Sequence, residues 1–464
     1  MCRRWDKGIS LMKDVLVEFF RCPEDSIEME LTGELTDQTG FFRLGEDTIC
    51  YGQTCSGPVA SSLGDPLLDV SRDVRAEGPT LRLPFDPEQV IRNLRLERYA
   101  QDLLKHNHDV FSNRITRFLY YSVRPFLSVA VRRHIQKFAL RHWEDKTFPK
   151  WPVDRTVEDL MEKLLALAMK AKGIDEIPFI WFWPEGNRTC TIITHDVETA
   201  EGRDHCDALM DINDSFGVKS SFQVVPEERY RVPKEYLENI RKRGFEVNVQ
   251  DLNHDGHLYR DRAEFLRRVQ RINQYMTEYM AHGFRAGVLY HNVEWYEALE
   301  VSYDMSIPNV GHLDPQRGGC CTVFPFFIGN ILELPVTMTQ DYSLFHILCD
   351  YSIELWKKQI ALIMEKQGFI SVIIHPDYAI AERAEKTYRE LLRYLTELRD
   401  AGKTTIRLPK DVNTWWRARR DMKLVKENGK WRIEGEGAEQ ARIAYARRNG
   451  DQISYSIEGG QGSL

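Results

Sequence analysis

Between about residues 185 and 410 short apolar runs alternate with segments of helical period, and this alternation limits the possible folds more than any other feature of the chain. The runs are TCTIIT (189 to 194), SSFQVV (220 to 225), FEVNV (245 to 249), GFRAG (283 to 287), ILELPVT (331 to 337), FISVII (369 to 374) and TTIRL (404 to 408). Between them, DRAEFLRRVQRINQYMTEYM places Phe265, Leu266, Val269, Ile272, Met276 and Met280 on one helical stripe, which reads as core. Gly217, Gly244, Gly283 and Gly368 each follow a helical segment, where a left-handed cap is expected. Strands and helices alternating at this spacing imply parallel strands with right-handed crossovers. About seven such units favour a distorted (β/α) barrel over a doubly wound sheet, so the fold class is α/β. No GxGxxG or GxxxxGK[ST] follows a strand, which leaves dinucleotide and P-loop readings without support.

The flanks have another rhythm. Residues 23 to about 95 mix strand-like pieces such as FFRLGEDTICYGQ with turn formers. From Leu94 to Trp143 the pattern is helical and basic, with Arg114, Arg117, Arg124, Arg132, Arg133, Lys137 and Arg141 beside aromatic and aliphatic residues. Pro125 interrupts it, so a packed helical subdomain is expected ahead of peripheral membrane contact through 111–143. After Leu408 the chain passes through NTWWRARR into alternating runs joined by Asn428-Gly429 and Asn449-Gly450, which predict a small antiparallel β module with a fraying GGQGSL tail. The expected regions are therefore a mixed and helical segment over 1–184, the barrel over 185–412 and the β module over 413–464.

Bulk numbers exclude a few classes. A chain of 464 residues exceeds one ordinary core, and 42% hydrophobic with 29% charged residues is the balance of a globular protein. With 63 Lys and Arg against 70 Asp and Glu the net charge is -7, which argues against a nucleic-acid partner. Nine cysteines without CxxC spacing favour a reducing compartment, and adjacent Cys320 and Cys321 read as small buried residues. In the opening MCRRWDKGISLMKDVLVEFF, Lys13, Asp14 and Glu18 interrupt any apolar run. Neither a secretory signal nor a membrane span is expected there, and the default location is the cytoplasm.

In a parallel α/β scaffold the reactive groups gather at the carboxyl ends of the strands. The first run ends in His195, Asp196 and Glu198, and the third leads into NVQDLNHDGH, which holds Gln250, Asp251, His254, Asp255 and His257. GFRAG carries Arg285, and FISVII runs into His375, Pro376 and Asp377. A DxE in extended backbone puts Asp196 and Glu198 on one side, so one carboxylate can bind a cation while the other takes a proton from water. His254 can add a nitrogen to that cation, His375 can protonate a leaving amine, and Arg285 can keep Asp196 ionised. Plainer readings exist for each alone: an Asx-type turn at His254-Asp255-Gly256, a surface ion pair for Arg285, a strand cap for His375. Their joint placement at strand ends is what points to a hydrolytic site.

These segments resemble the polysaccharide deacetylases, the family of the nodulation-type chitooligosaccharide deacetylase homology domain. ITHDVET resembles its first motif, with an aspartate base and a metal-binding acid; NVQDLNHDG resembles its histidine motif, FRAG its arginine motif and VIIHPD its last motif. YDMSIPNV and FPFFIGNILELPVTMTQD are similar to a bacterial subgroup with flanking domains, and the resemblance covers about residues 185 to 410. It implies a hydrolase that cleaves an N-acetyl or related non-peptide C–N amide on a sugar, glycan or nucleotide- or lipid-linked precursor, with a divalent ion, zinc by expectation. By matching position Asp196 is the base, Arg285 its partner and His375 the acid, while Glu198, Gln250 and His254 occupy the metal positions. Trp181, Trp183, Trp295, Trp415 and Trp416 are candidates for stacking on sugar rings, with core packing as the plainer role.

The chain departs from the family at three points. Glu198 replaces an aspartate, Gly287 replaces the proline of the arginine motif, and Gln250 stands where the first histidine of an HxxxH pair belongs. A neutral amide oxygen is a poor zinc ligand, so weaker ion binding is expected unless Asp251, Asp255 or His257 compensates. Two alternatives follow: a metal-poor homologue that binds glycan without turnover, and a small-amide hydrolase on the same barrel.

Overall fold

The computed structural model describes residues 14–106 and 143–459. Of the segment expected as a helical subdomain or membrane contact, residues 94–106, which include the helix Ala100–His106, and Trp143 are described; residues 107–142 lie outside the described residues, as do 1–13 and the end of the GGQGSL tail. The chain divides into two compact units, one built from 1–108, 156–186 and 415–464, the other from 109–155 and 187–414.

The second unit carries a nine-stranded sheet. Its strands are β1 (Thr189–Val197), β2 (Ser221–Val224), β3 (Glu246–Gln250), β4 (Gly283–Arg285), β5 (Tyr303–Asp304), β6 (Phe326–Ile328), β7 (Ile331–Glu333), β8 (Phe369–Ile373) and β9 (Thr404–Ile406). They run in the order β6-β7-β5-β4-β3-β2-β1-β8, with β9 on the lower half of β1. Every pairing is parallel except the β6–β7 hairpin. Every residue of β1, β2, β3 and β8 is buried, as expected of parallel strands covered on both faces. The connections hold helices α1 (Ala200–Ser215), α2 (Lys234–Lys242), α3 (Arg262–Glu278), α4 (Glu354–Glu365) and α5 (Glu382–Asp400).

Several of the expected strands are shorter than their apolar runs. β7 stops at Glu333 because Pro335 has no N–H for the ladder, and β4 stops at Arg285 where the chain enters a 3-10 turn. The sheet consequently curls without closing through a ladder. Its seam is held by Thr337, whose Oγ1 donates to the Phe369 carbonyl (2.9 Å) and accepts from the Ser371 N–H (3.0 Å). Leu289, Val336 and Ile373 form a buried apolar cluster at the same seam. The sequence reading missed β5 and β6, two and three residues long, which are too short to show a period.

The helix stripe is narrower than expected. Phe265, Val269, Ile272 and Met276 are buried in α3, but Leu266 and Met280 are 42% and 65% exposed. Two caps also differ. Gly217 and Gly244 take the left-handed conformation, yet after α3 and α4 Met280 and Gln367 take it, at φ 45° and 58°. Gly283 and Gly368 are glycines for space: a Cβ would meet the Tyr303 ring at 2.2 Å and Val323 at 2.6 Å.

In the first unit, the helix Thr156–Lys172 accompanies the hairpin Gly40–Leu44 with Thr48–Gly52 and the three-stranded sheet of Met29–Leu31, Thr80–Leu83 and Arg75–Glu77. The predicted turn at Asn428-Gly429 closes a hairpin, with φ values of 51° and 81° suited to a type I′ turn. The second C-terminal hairpin, Ile443–Asn449 with Gln452–Ile457, pairs with Glu176–Ile180 from the N-terminal segment. C-terminal strands expected as a module of their own therefore extend a sheet begun before the barrel. Trp181, Trp183, Trp415 and Trp416 are buried here. The described cysteines are all free, with Cys320 and Cys321 buried, and no helix among the described residues is long and apolar enough to cross a membrane.

Candidate active site

Four strand ends deliver one cluster. Asp196 is the penultimate residue of β1 and Glu198 follows it; Gln250 ends β3, Arg285 ends β4, and His375 lies two residues past β8. Arg285 has no exposed surface. Its Nη1 donates to Asp196 Oδ1 (2.6 Å) and Thr194 Oγ1 (2.8 Å), and its Nε donates to the Met305 carbonyl (2.9 Å). Gln250 Nε2 donates to Glu198 Oε1 at 3.0 Å and to Asp196 Oδ2 at 3.4 Å. The same Glu198 oxygen lies 2.8 Å from His254 Nε2 and 3.5 Å from His375 Nε2. Glu198 is thus the point where the separate segments meet.

His375 is gripped twice by a carboxylate that sequence reading did not assign. Asp341 Oδ1 lies 2.6 Å from His375 Nδ1, and Asp341 Oδ2 accepts the His375 backbone N–H at 2.8 Å. This fixes the ring and turns Nε2 toward Glu198. Burial works against a charged His375, but Asp341 and Glu198 outweigh it and hold the imidazole well above its ordinary pKa. Burial likewise opposes ionisation of Glu198, and His254 and His375 overcome it, keeping this carboxyl well below the usual range. Tyr378 covers the His375 ring at 4.8 Å between centroids, and Tyr342 and His346 adjoin Tyr378.

The loop after β3 explains why the remaining ligand candidates do not compensate for Gln250. Asp251 and His254 both have positive φ, 52° and 53°, which bends the backbone sharply. Arg268 holds Asp255 through two bonds of 2.7 and 2.8 Å, and His257 lies 3.4 Å from the same carboxylate. Burial resists the ionisation of Asp255, but Arg268 wins and draws it down to about 2. Asp255 is therefore engaged with Arg268, and His257 with Asp255. Asp251 is buried, and a Cβ at position 287 would come within 2.4 Å of its Oδ2. Glycine suits position 287 because that carboxylate fills the space a side chain would need.

Among the described residues, the His, Cys, Asp or Glu group able to share an ion is Asp196, Glu198 and His375, whose ligand atoms lie within 4.8 Å of one another. Of the expected trio, Glu198 alone belongs to it. Gln250 presents amide hydrogens to both carboxylates, so as arranged the set Glu198, Gln250 and His254 does not fit a zinc ion. An ion held by the other set would take the candidate base and acid as its ligands.

Sequence reading named six of these side chains and passed over two. Asp341 ends the stretch FPFFIGNILELPVTMTQD, just beyond an apolar strand, where the strand-end rule already applied. Arg229 follows the second strand in PEERY, a strand end to which no role was assigned; its Nη2 donates to the His254 carbonyl at 2.9 Å. His195 points away from the site: Nδ1 is 3.2 Å from the Ile374 carbonyl and Nε2 accepts from Asn213 at 3.1 Å. Trp295 stacks on Tyr259.

No family model matches the sequence, and no curated protein matches it. The solved structures that match include a "putative polysaccharide deacetylase from Mycobacterium smegmatis", 18% identical, covering 51% of this chain and 93% of that one with a TM-score of 0.43. PuuE allantoinase matches at 11% identity, covering 50% and 92% with a TM-score of 0.41. A mutant of the peptidoglycan deacetylase PdaC from Bacillus subtilis matches at 14% identity, covering 50% and 93% with a TM-score of 0.31. Each match spans about half of this chain.

Proposed function

We propose that the barrel is an amide hydrolase of the polysaccharide deacetylase type, releasing acetate from an N-acetylated sugar, glycan or activated glycan precursor. The observation that carries this reading is a locked carboxylate beside a locked imidazole: Asp196 held by Arg285 and His375 held by Asp341, on the paired strands β1 and β8. In this reading Asp196 takes a proton from water as the water oxygen attacks the amide carbonyl. His375, charged through Asp341, gives its Nε2 proton to the departing nitrogen as the C–N bond breaks. Arg285 pairs with Asp196 and fixes the direction in which its carboxylate points. No step is assigned to an ion.

The test is acetate release from a defined panel of N-acetylated glycans by the full-length protein, with Asp196→Asn as the control. Release that Asp196→Asn abolishes supports the reading; no release from any member, with or without added zinc, cobalt or nickel, overturns it. A second reading, glycan binding without turnover, is favoured by the hydrogen bonds from Gln250 to both carboxylates. It requires glycan affinity that survives Asp196→Asn in a protein that releases no acetate.

A further inference from the structure

A short distance from Gln250 or His254 to Glu198 does not by itself separate a hydrogen-bonded network from two ligands of one ion, since neighbouring ligands on zinc also lie about 3 Å apart. The other nitrogen of His254 separates them. Arg229 Nη2 lies 3.1 Å from His254 Nδ1 and donates to the His254 carbonyl at 2.9 Å. A guanidinium is a donor only, so Nδ1 must offer its lone pair. The ring hydrogen then sits on Nε2, whose neighbour Glu198 Oε1 is 2.8 Å away but out of line for a hydrogen bond. A metal-binding histidine has the reverse arrangement: its lone pair is on the metal side, and the distal N–H donates to a carboxylate or carbonyl.

We propose that Arg229 locks His254 in the tautomer whose hydrogen sits on Nε2, the side that faces Glu198, so that together with the hydrogen bonds of Gln250 it makes this strand-end cluster a site that excludes a divalent cation. Gln250 supports the same wiring. With its amide turned the other way, Oε1 would face carboxylate oxygens at 3.0 and 3.4 Å, a repulsive contact. Restoring a histidine at position 250 is on this account insufficient, because His254 remains in the wrong tautomer. Arg229 is a positioning residue: it touches His254 and acts through it. The inference concerns ion binding and stands or falls apart from turnover.

Zinc affinity by calorimetry and the visible spectrum of added Co²⁺ are measured for the full-length wild type, Arg229→Met, Gln250→His and the double variant. Arg229 is exposed, so its replacement should leave the fold intact, which circular dichroism checks. The expected result is that Arg229→Met tightens zinc binding about 10–100-fold in both backgrounds, the scale of outer-shell effects on metal sites. The double variant should be the tightest binder. Unchanged or weaker binding on loss of Arg229, or stoichiometric zinc in the wild type at micromolar concentration, overturns the proposal. A ¹⁵N-histidine spectrum of the wild type reads the tautomer directly: a neutral Nε2–H ring at His254 supports it, and an Nδ1–H ring overturns it.

Discussion

The two most deeply buried arginines among the described residues, one in each unit, are satisfied in opposite ways. Arg285, in the barrel, meets a carboxylate, Asp196, at 2.6 Å. Arg419, in the other unit, is 2% exposed and donates to backbone carbonyls: Nη2 to Ile180 (2.7 Å), Phe19 (3.0 Å) and Phe20 (3.3 Å), and Nε to Trp181 (3.0 Å). Its guanidinium also lies 5.3 Å from the centroids of both the Phe182 and Trp416 rings. Carbonyl dipoles can solvate a cation and tie three distant chain segments together, but they create no ionised partner. A carboxylate partner does, and that partner can take a proton. Burial of an arginine is thus no sign of chemistry; what it faces is.

The largest expected effect breaks the reactive half of this comparison. Asp196→Asn should lower the rate of acetate release by roughly 10²–10⁴-fold, the usual worth of a positioned base. Its melting temperature should fall as well, because the fully buried Arg285 keeps its charge with no carboxylate opposite, so activity is compared per folded molecule; a variant with full activity would remove Asp196 from the mechanism. Next, Arg419→Met should destabilise the protein by about 3 kcal/mol by leaving buried carbonyls without donors, while activity per folded molecule is unchanged. Chemical denaturation checks it, and a loss below about 1 kcal/mol would mean water replaces the guanidinium.

Smaller effects sharpen the contrast. Gly287→Ala forces a Cβ against Asp251 Oδ2 and should cost about 1–3 kcal/mol in thermal stability. Gly33→Ala, in the other unit, meets Cys55 Cβ at an ordinary 3.9 Å, so it should be neutral to within about 0.5 kcal/mol. The pH dependence comes last. Against burial, Asp341 and Glu198 raise the His375 pKa, so stability from this pairing is complete below the ordinary value of about 6.5 and is lost as pH rises through the raised one. The acid form should therefore persist through neutral pH, and Asp341→Asn should move the alkaline limb of the rate profile down by about one unit or more. An unmoved limb would show that Asp341 only positions the ring.

Part of the site was legible because its chemistry lies in short, ordered segments. ITHDVET, NVQDLNHDG, FRAG and VIIHPD each follow an apolar strand, and parallel strands bring their carboxyl ends together whatever their separation in sequence. Hence Asp196, Glu198, Gln250, His254, Arg285 and His375 could be named before their geometry was known. Arg229 could not be given its role, because a guanidinium in a polar loop carries no periodic signal and matters through one ring nitrogen. Leu266 was misplaced for a related reason: apolar character marks a helix face only to within a residue, and neighbouring elements decide which side is covered.

The amino-acid order by itself determined the alternation of strand and helix, the ends at which reactive groups collect, and the neutral amide at position 250. Those are local facts, set by backbone period and residue type. Tertiary structure decided the direction in which hydrogens point: Asp341 onto His375, Arg229 onto His254, Arg268 onto Asp255, and Glu176–Ile180 onto a hairpin from the far end of the chain. Hydrogen bonds act over about 3 Å, so their partners are chosen only when folding has brought distant segments within that reach.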